Sequence, residues 1–295
     1  MILIDWGTSG FRAYRVTADG RVTERREAAL GILAVPDGDF AAACMQQVGD
    51  WLRAGEHPLL MSGMIGSRQG WRETPYADCP AGVAELAAGL VSVDLRTGAR
   101  GWIVPGLSCR DDGGIADVMR GEETQILGVL DRLGAGAQTV CLPGTHSKWV
   151  RVEAGRIRGF RTYMTGEVYA VLRGHSILGR MMQGDATDGA HFEAGVQRAR
   201  EAGGLLHHLF GVRASGLFGE LAAADAAAYL SGILIGHELR AAAPARGQVH
   251  LLGAPALSAL YQRALGCLGV QAQLLDSDAA VRGLIRLAAD IPERT

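Results

Sequence analysis

The sequence predicts an α/β protein built from two copies of one βββαβαβα unit arranged around a central cleft. Three observations predict it. First, one short unit is written twice: I-L-I-D-W-G-T-S-G-F-R-A-Y-R-V at 2–16 and T-V-C-L-P-G-T-H-S-K-W-V-R-V at 139–152. Each is an apolar run, a Gly-Thr turn and a second β-prone run, so backbone N–H groups and hydroxyls converge as they would around a polyphosphate. Second, three β-prone segments open each half and alternating helices and strands follow, unlike the strict βαβ alternation of a dinucleotide-binding sheet. Third, 295 residues that are 48% hydrophobic and 20% charged suit two soluble domains, each with its own core.

In the first half, strands are expected at 2–6, 11–17 and 21–29, with Asp19-Gly20 marking a hairpin. Asp37 or Asp39 can cap a helix over 40–53, and a short buried strand follows at Pro58–Met61. A Gly-rich loop covers 62–76, then a helix near 81–90, a strand at Gly101–Pro105 and the loop G-L-S-C-R-D-D-G-G. A long helix is expected over 116–133, and Gly134-Ala-Gly136 punctuates the boundary. The second half repeats the order with strands near 138–143, 148–153 and 156–163. A mostly helical insertion fills 166–243. A strand at 248–252, a helix at 255–266, a strand at 271–275 and a helix at 278–290 close the chain. The expected domains are 1–135 and 136–295.

Composition removes several function classes. A net charge of −2 and a pI near 6.4 leave no electrostatic footprint for nucleic acid or an anionic membrane. Cys44, Cys79, Cys109, Cys141 and Cys267 are scattered without a C-x-x-C, which argues against a disulfide framework, a zinc site or an iron–sulfur cluster. No uncharged apolar run approaches the ~18 residues of a membrane span. The chain opens on its first strand with no leader pattern, so the cytoplasm is the expected compartment.

The chemistry concentrates in a few places. Asp5 ends the first apolar strand, directly before the turn, where a carboxylate can hold Mg²⁺ through water while the metal bridges phosphates. An Asp there can also simply close the turn with its own backbone. Lys148 is the one lysine among 29 basic residues; a compact, flexible charge suits a moving phosphate better than a rigid arginine fork. Arg68 and Arg72 flank Trp71 in a loop where a guanidinium can grip a carboxylate. His146 can donate to phosphate or shape its loop. His207-His208 lack metal-ligand spacing, and Gly66-Ser67 lack the second Gly of a nucleophile elbow.

D-W-G-T-S-G-F-R resembles the phosphate-1 motif of the sugar kinase, actin and heat-shock chaperone ATPase superfamily, and Asp5, Gly7, Thr8, Ser9 and Arg12 fill its positions. L-P-G-T-H-S-K is similar to the phosphate-2 motif, over Gly144, Thr145, His146, Ser147 and Lys148. H-L-L-G-A-P-A-L is similar to the adenosine motif, a strand running through Gly253 and Ala254 into a helix. Together with S-G-M-I-G-S-R-Q-G-W, A-D-V-M-R-G-E-E-T-Q and Y-M-T-G-E, these motifs resemble the 2-dehydro-3-deoxygalactonokinases over nearly the whole chain.

That resemblance implies duplicated ribonuclease H-like (actin-like ATPase) domains. It also implies transfer of the ATP γ-phosphate to the 6-hydroxyl of 2-dehydro-3-deoxy-D-galactonate, in galactonate breakdown. The first half would bind the sugar acid and the second the nucleotide. Asp117 is the candidate base, placed at the start of the 116–133 helix where related kinases carry an Asp; the same Asp could serve only as a helix cap. Glu122 and Glu123 come next. Arg68, Thr165, Glu167 and Ser9 are the candidate contacts to the sugar acid, and Thr165 could instead cap the following helix. The alternatives are a kinase of another sugar or sugar acid and an ATP-driven conformational switch, although the known switches are longer. A homodimer is the expected assembly.

Overall fold

The computed structural model describes residues 1–96, 98–243, 247–276 and 278–291. In the first half the elements run β1 (Ile2–Trp6), β2 (Phe11–Val16), β3 (Val22–Ala28), α1 (Phe40–Arg53), β4 (Leu59–Ser62), β5 (Tyr76–Asp78), α2 (Val83–Ala88), β6 (Val91–Asp94), β7 (Arg100–Ile103), β8 (Gly106–Arg110), β9 (Ala116–Met119) and α3 (Glu122–Leu127). The second half runs β10 (Gln138–Leu142), β11 (Ser147–Glu153), β12 (Arg156–Tyr163), α4 (Thr165–His175), α5 (Ala190–Arg198), α6 (Gly204–Leu217), α7 (Ala226–Ala242), β13 (Gln248–Leu251), α8 (Pro255–Cys267), β14 (Gln271–Leu274) and α9 (Ala279–Ala288).

Two sheets carry the duplication. The first has the order β3-β2-β1-β4-β7-β6 and the second β12-β11-β10-β13-β14. In each, the opening strand is central, its two successors lie to one side, and two strands parallel to it lie to the other, with an antiparallel β6 added at the edge of the first sheet. β1 pairs antiparallel with β2 and parallel with β4, and β4 pairs parallel with β7. β10, β13 and β14 are likewise parallel. This is the ribonuclease H-like arrangement, present twice.

Why β1 is central can be read from its side chains. Ile2, Leu3, Ile4 and Trp6 are all fully buried, the continuous apolar run of a strand covered on both faces. β2 alternates and meets β3 through the Asp19-Gly20 turn, where Gly20 takes φ +83°. Asp39 Oδ1 accepts the Ala42 N–H at 3.1 Å and so caps α1. That helix lays Phe40, Cys44, Val48 and Trp51 on the core built around Ile2, Ile4 and Trp6.

The first half departs from the expected βββαβαβα order: β5, β6, β8 and β9 are additional strands, and G-L-S-C-R, expected as loop, is β8. The predicted helix over 116–133 begins as a strand. β9 pairs antiparallel with β8, matching Cys109 with Asp117 and Leu107 with Met119, and β8 pairs with β5 in a small third sheet. The D-D-G-G segment is the hairpin turn between β8 and β9, where Asp111 Oδ1 accepts the N–H groups of Gly113 and Ile115. The hairpin ladder to β8, itself anchored on β5, overrides the helical pattern. Gly121, at φ +106°, then breaks the strand, and helix begins only at Glu122.

Two compact units emerge. One comprises 1–136, the β11–β12 hairpin tip over 152–159 and the chain from Asp278; the other comprises 137–151 and 160 through β14. α9 belongs to the first unit, packed on α3, β1 and β4. In the second unit α4–α7 fill the span between β12 and β13. α5 and α8 share a core with Trp149, Ile235 and Leu239, and α7 joins α6 in a smaller one through Leu230, Ile233 and Val212.

Candidate active site

The first turn leaves the carboxyl end of β1. Gly7 N–H donates to Gly10 O at 2.9 Å and closes the turn, while Ile32 N–H donates to Gly7 O at 3.1 Å. Trp6 Nε1 reaches Leu30 O at 2.7 Å, so the 30–32 segment braces the turn from behind. The fit there admits no side chain on residue 31: a Cβ on Gly31 would lie 1.9 Å from the Thr8 carbonyl oxygen. Thr8 and Ser9 are left exposed. Asp5 Oδ2 lies 3.8 Å from Arg12 Nη2, and its side chain keeps 17% exposure. Burial raises the Asp5 carboxyl above its ordinary range, against the opposing pull of Arg12.

β4 ends beside β1, with Ser62 in register with Asp5. The next residue, Gly63, would bring a Cβ to 3.4 Å from Asp5 Oδ1, and a Cβ on Gly121 would lie 3.2 Å from Gly63 Cα. The entry to α3 therefore borders Asp5. Two charged residues are buried there. The Arg120 guanidinium donates to Thr74 Oγ1 and, at 2.9 Å, to Thr74 O, and it stacks 4.4 Å over the Tyr76 ring. Glu123 is fully buried. Its Oε2 accepts the Gly121 N–H at 2.7 Å, whereas its Oε1 and Arg120 Nε are buried without a hydrogen-bond partner. Burial, reinforced by Glu122, pushes the Glu123 carboxyl up to about 8, against Arg120 and the backbone N–H groups.

Asp117 is not at a helix end. It is a half-buried strand residue whose Oδ1 accepts the Val118 N–H at 2.8 Å, so the helix-dipole argument for its ionised form does not apply. Arg68 is 87% exposed, 3.6 Å from Glu73, and Arg72 donates to Ser92 O at 3.1 Å.

The second turn leaves β10 and is braced differently. Glu167 N–H donates to Thr145 O at 3.0 Å, and a Cβ on Gly166 would lie 2.5 Å from Gly144 O, so the start of α4 is pressed on the turn. Thr145 and His146 are exposed, and His146 Nε2 pairs with Glu167. Lys148 is 6% exposed and its Nζ donates to Thr162 Oγ1 at 2.9 Å. Ser147 points inward, with its Oγ 2.7 Å from the Tyr261 hydroxyl. Thr165 is the first helical residue of α4 and not its cap; that place falls to Met164, and the Thr165 hydroxyl donates to Glu238.

Beside this turn lies a cavity of about 110 Å³, walled by Gly144, Thr165, Gly166 and Tyr169, by Ser231, Leu234 and Ile235 of α7, and by Leu257, Leu260 and Tyr261 of α8. Gly253 and Ala254 lead from β13 into α8, with Ala254 at its N-cap and Pro255 in the first turn.

Thus the structure gathers Asp5, Gly7, Thr8, Ser9 and Arg12 at one turn and Gly144–Lys148, Thr165 and Glu167 at the other. The residues absent from the sequence-derived set are Glu238 and Tyr261. A signal existed for Glu238, the single acid in the apolar helix A-A-A-Y-L-S-G-I-L-I-G-H-E-L. Nothing local marks Tyr261.

For a magnesium ion, Asp5 is the fitting donor, a strand-end carboxylate with partial exposure. Among the described residues no group of three or more His, Cys, Asp or Glu side chains is gathered for a metal. Mg²⁺ held chiefly by phosphate and water needs only one or two carboxylates.

Two ribonuclease H-like sheets, each sending a Gly-Thr turn off its central strand, define the actin-like ATPase class. The family follows from comparison of the whole chain. The 2-keto-3-deoxy-galactonokinase family profile matches residues 5–287, and the chain belongs to that family. A candidate 2-dehydro-3-deoxygalactonokinase of Rhizobium meliloti (strain 1021) is 41% identical over 294 residues, covering 97% of this chain and 95% of that protein. The 2-dehydro-3-deoxygalactonokinase of Escherichia coli (strain K12) is 35% identical over 291 residues, covering 98% and 97%. A crystal structure of a candidate 2-dehydro-3-deoxygalactonokinase from Sinorhizobium meliloti superposes with a TM-score of 0.90 at 40% identity, over 98% of this chain and 97% of that one.

Proposed function

We propose that this protein transfers the γ-phosphate of ATP to the 6-hydroxyl of 2-dehydro-3-deoxy-D-galactonate, giving the 6-phosphate and ADP in galactonate catabolism. The observation that carries the reading is the pair of braced Gly-Thr turns on a duplicated sheet, of which only the first has a carboxylate, Asp5, at the strand end. Family membership supplies the substrate. Phosphoryl transfer to an alcohol needs positioned phosphates, neutralised charge and a proton acceptor.

In this reading Gly7, Thr8 and Arg12 receive phosphate at the first turn, and Gly144, Thr145, His146 and Lys148 at the second. Ser147 contributes main chain, since its hydroxyl is turned inward. The cavity beside Gly144 takes the adenine, with the Gly253–Ala254 entry to α8 alongside. Mg²⁺ would be held through Asp5 and would neutralise phosphate charge. Residues 1–135 serve the sugar acid, through Ser9 and Arg68. Residues 136–295, with the insertion at 166–243, serve the nucleotide, and Glu167 is the second-half contact to the sugar. A cytoplasmic homodimer is the proposed setting.

For the base, one observation favours a second residue beside Asp117. Glu123, in the first turn of α3, has a buried carboxylate oxygen with no partner, and burial pushes its carboxyl up to about 8, close to the pH at which it would work. If Glu123 is the base, kcat/KM climbs as pH rises through about 8, because the ionised form is active. The direct test is coupled ADP release with Mg-ATP and each of the two epimeric 2-keto-3-deoxy sugar acids. The comparison covers wild type, Asp117→Asn and Glu123→Gln. Turnover that requires the galacto acid and falls by about 10²-fold or more in one variant identifies substrate and base together. Absence of acceptor-dependent ADP release with either acid overturns the assignment.

A further inference from the structure

Glu238 lies on α7, 3% exposed, in a helix that also buries Leu234, Ile235 and Leu239. Three side chains from three different elements donate to it. Trp149 Nε1 of β11 reaches Oε1 at 2.7 Å, the Tyr261 hydroxyl of α8 reaches Oε2 at 2.7 Å, and the Thr165 hydroxyl of α4 also reaches Oε2. A tyrosine hydroxyl has one proton. Since Tyr261 gives it to Glu238, the 2.7 Å contact with Ser147 must run the other way, with Ser147 donating to Tyr261. The hydrogen bonds thus pass from the second turn, through α8, to one carboxylate. Thr165 and Tyr261 also wall the cavity beside Gly144.

We propose that Glu238 is a positioning residue for the nucleotide: by collecting Trp149, Thr165 and Tyr261 it fixes the second turn, the start of α4 and α8 as one wall. The inference rests on the reading of that turn and cavity as the nucleotide site. Glu238 does not touch the reacting atoms. Its work is to keep three separately folded elements in register, so that phosphate and adenine contacts are offered together and little ordering remains when ATP binds. A satisfied buried network specifies geometry in this way, and a half-satisfied one is worse than none.

The test is nucleotide affinity by calorimetry, with steady-state KM for each substrate. In Tyr261→Phe the ring stays in the core while both hydroxyl links are lost; ATP affinity falls about five- to tenfold, with kcat and the sugar-acid KM within about twofold. In Glu238→Gln the amide oxygen still accepts from Trp149 and the amide NH₂ can donate to the two hydroxyls, so affinity returns to within about threefold of wild type. Glu238→Leu, if folded, weakens ATP binding most. Equal ATP affinity in wild type and Tyr261→Phe overturns the inference, as does a Tyr261→Phe loss shared equally by both substrates. A wild-type protein that binds no ATP or ADP overturns instead the nucleotide reading on which it rests.

Discussion

The two Gly-Thr turns are the same backbone unit with different side-chain support. Each leaves the carboxyl end of the central strand of its sheet, and the first, with Thr8 and Ser9 exposed, is held by main chain. Gly31 presses on Thr8, and Ile32 bonds to Gly7. The second has main-chain support as well, from Glu167 N–H to Thr145 O and from Gly166, and adds side chains turned inward behind it: Ser147, Trp149 and Thr165 lead to Glu238 and Tyr261. Where the first turn has Asp5 two residues before its glycine, the second has the buried Leu142. The two copies share their main-chain geometry, which is the part the proposed phosphate contacts use. Their surrounding side chains differ: the first turn has the carboxylate of Asp5 beside Arg12, and the second has the buried network around Glu238.

Removing the acid that only one turn has should have the largest effect. Asp5→Asn keeps the shape of the strand end but is expected to lower acceptor-dependent kcat by about 10²-fold or more, because the proposed metal contact to the phosphates would be lost. Melting temperature should barely change, as the raised carboxyl pKa means the charge already works against folding. A variant that keeps near-full turnover would remove Asp5 from the metal role. Next come the glycines that press on the turns. Gly31→Ala, with its Cβ at 1.9 Å from a carbonyl oxygen, should destabilise by about 2–3 kcal/mol, and Gly166→Ala, at 2.5 Å, by about 1–2 kcal/mol. Chemical denaturation of both variants checks the order, and its reversal would show that the first turn yields more easily than its packing implies.

A third prediction sharpens the electrostatic side of the comparison. Glu123 titrates near 8 in the folded protein against an ordinary value of 4.5. Between those pH values the folded state holds a proton that the unfolded chain has released, so the protein loses stability as pH rises through that window. Raising the pH from 5 to 8.5 should therefore lower the melting temperature of wild type by at least about 3 °C more than that of Glu123→Gln. Parallel curves would mean that the buried carboxyl is relieved by contacts other than those described. The smallest effect belongs to Arg68→Ala. With the side chain 87% exposed, stability should stay within about 0.5 kcal/mol, while the KM for the sugar acid rises if Arg68 grips its carboxylate.

How much of this was legible in the sequence follows from range. Asp5, Gly7 and Thr8, and likewise Gly144 and Thr145, could be found because a strand–turn unit is local and its glycines are fixed by backbone needs. The opening three strands of each half were legible for the same reason. The accessory sheet was not. Asp117 looks helical beside E-E-T-Q-I-L, and only the ladder to β8, with Leu107 opposite Met119, makes it a strand residue. The Glu238 network was hidden because its members lie 73 to 114 positions apart along two of its links. Ser147 shows the limit most plainly: its place in P-G-T-H-S-K points to phosphate, while its hydroxyl is committed to the core.

The central claim is that phosphate moves from ATP to the sugar acid and not to water. Phosphorus NMR of a completed reaction with Mg-ATP and 2-dehydro-3-deoxy-D-galactonate tests it most directly. The account predicts one new phosphomonoester signal, coupled to the protons at C6 and stoichiometric with ADP. Inorganic phosphate stoichiometric with ADP, and no phosphomonoester, would contradict it and point to an ATP-driven switch.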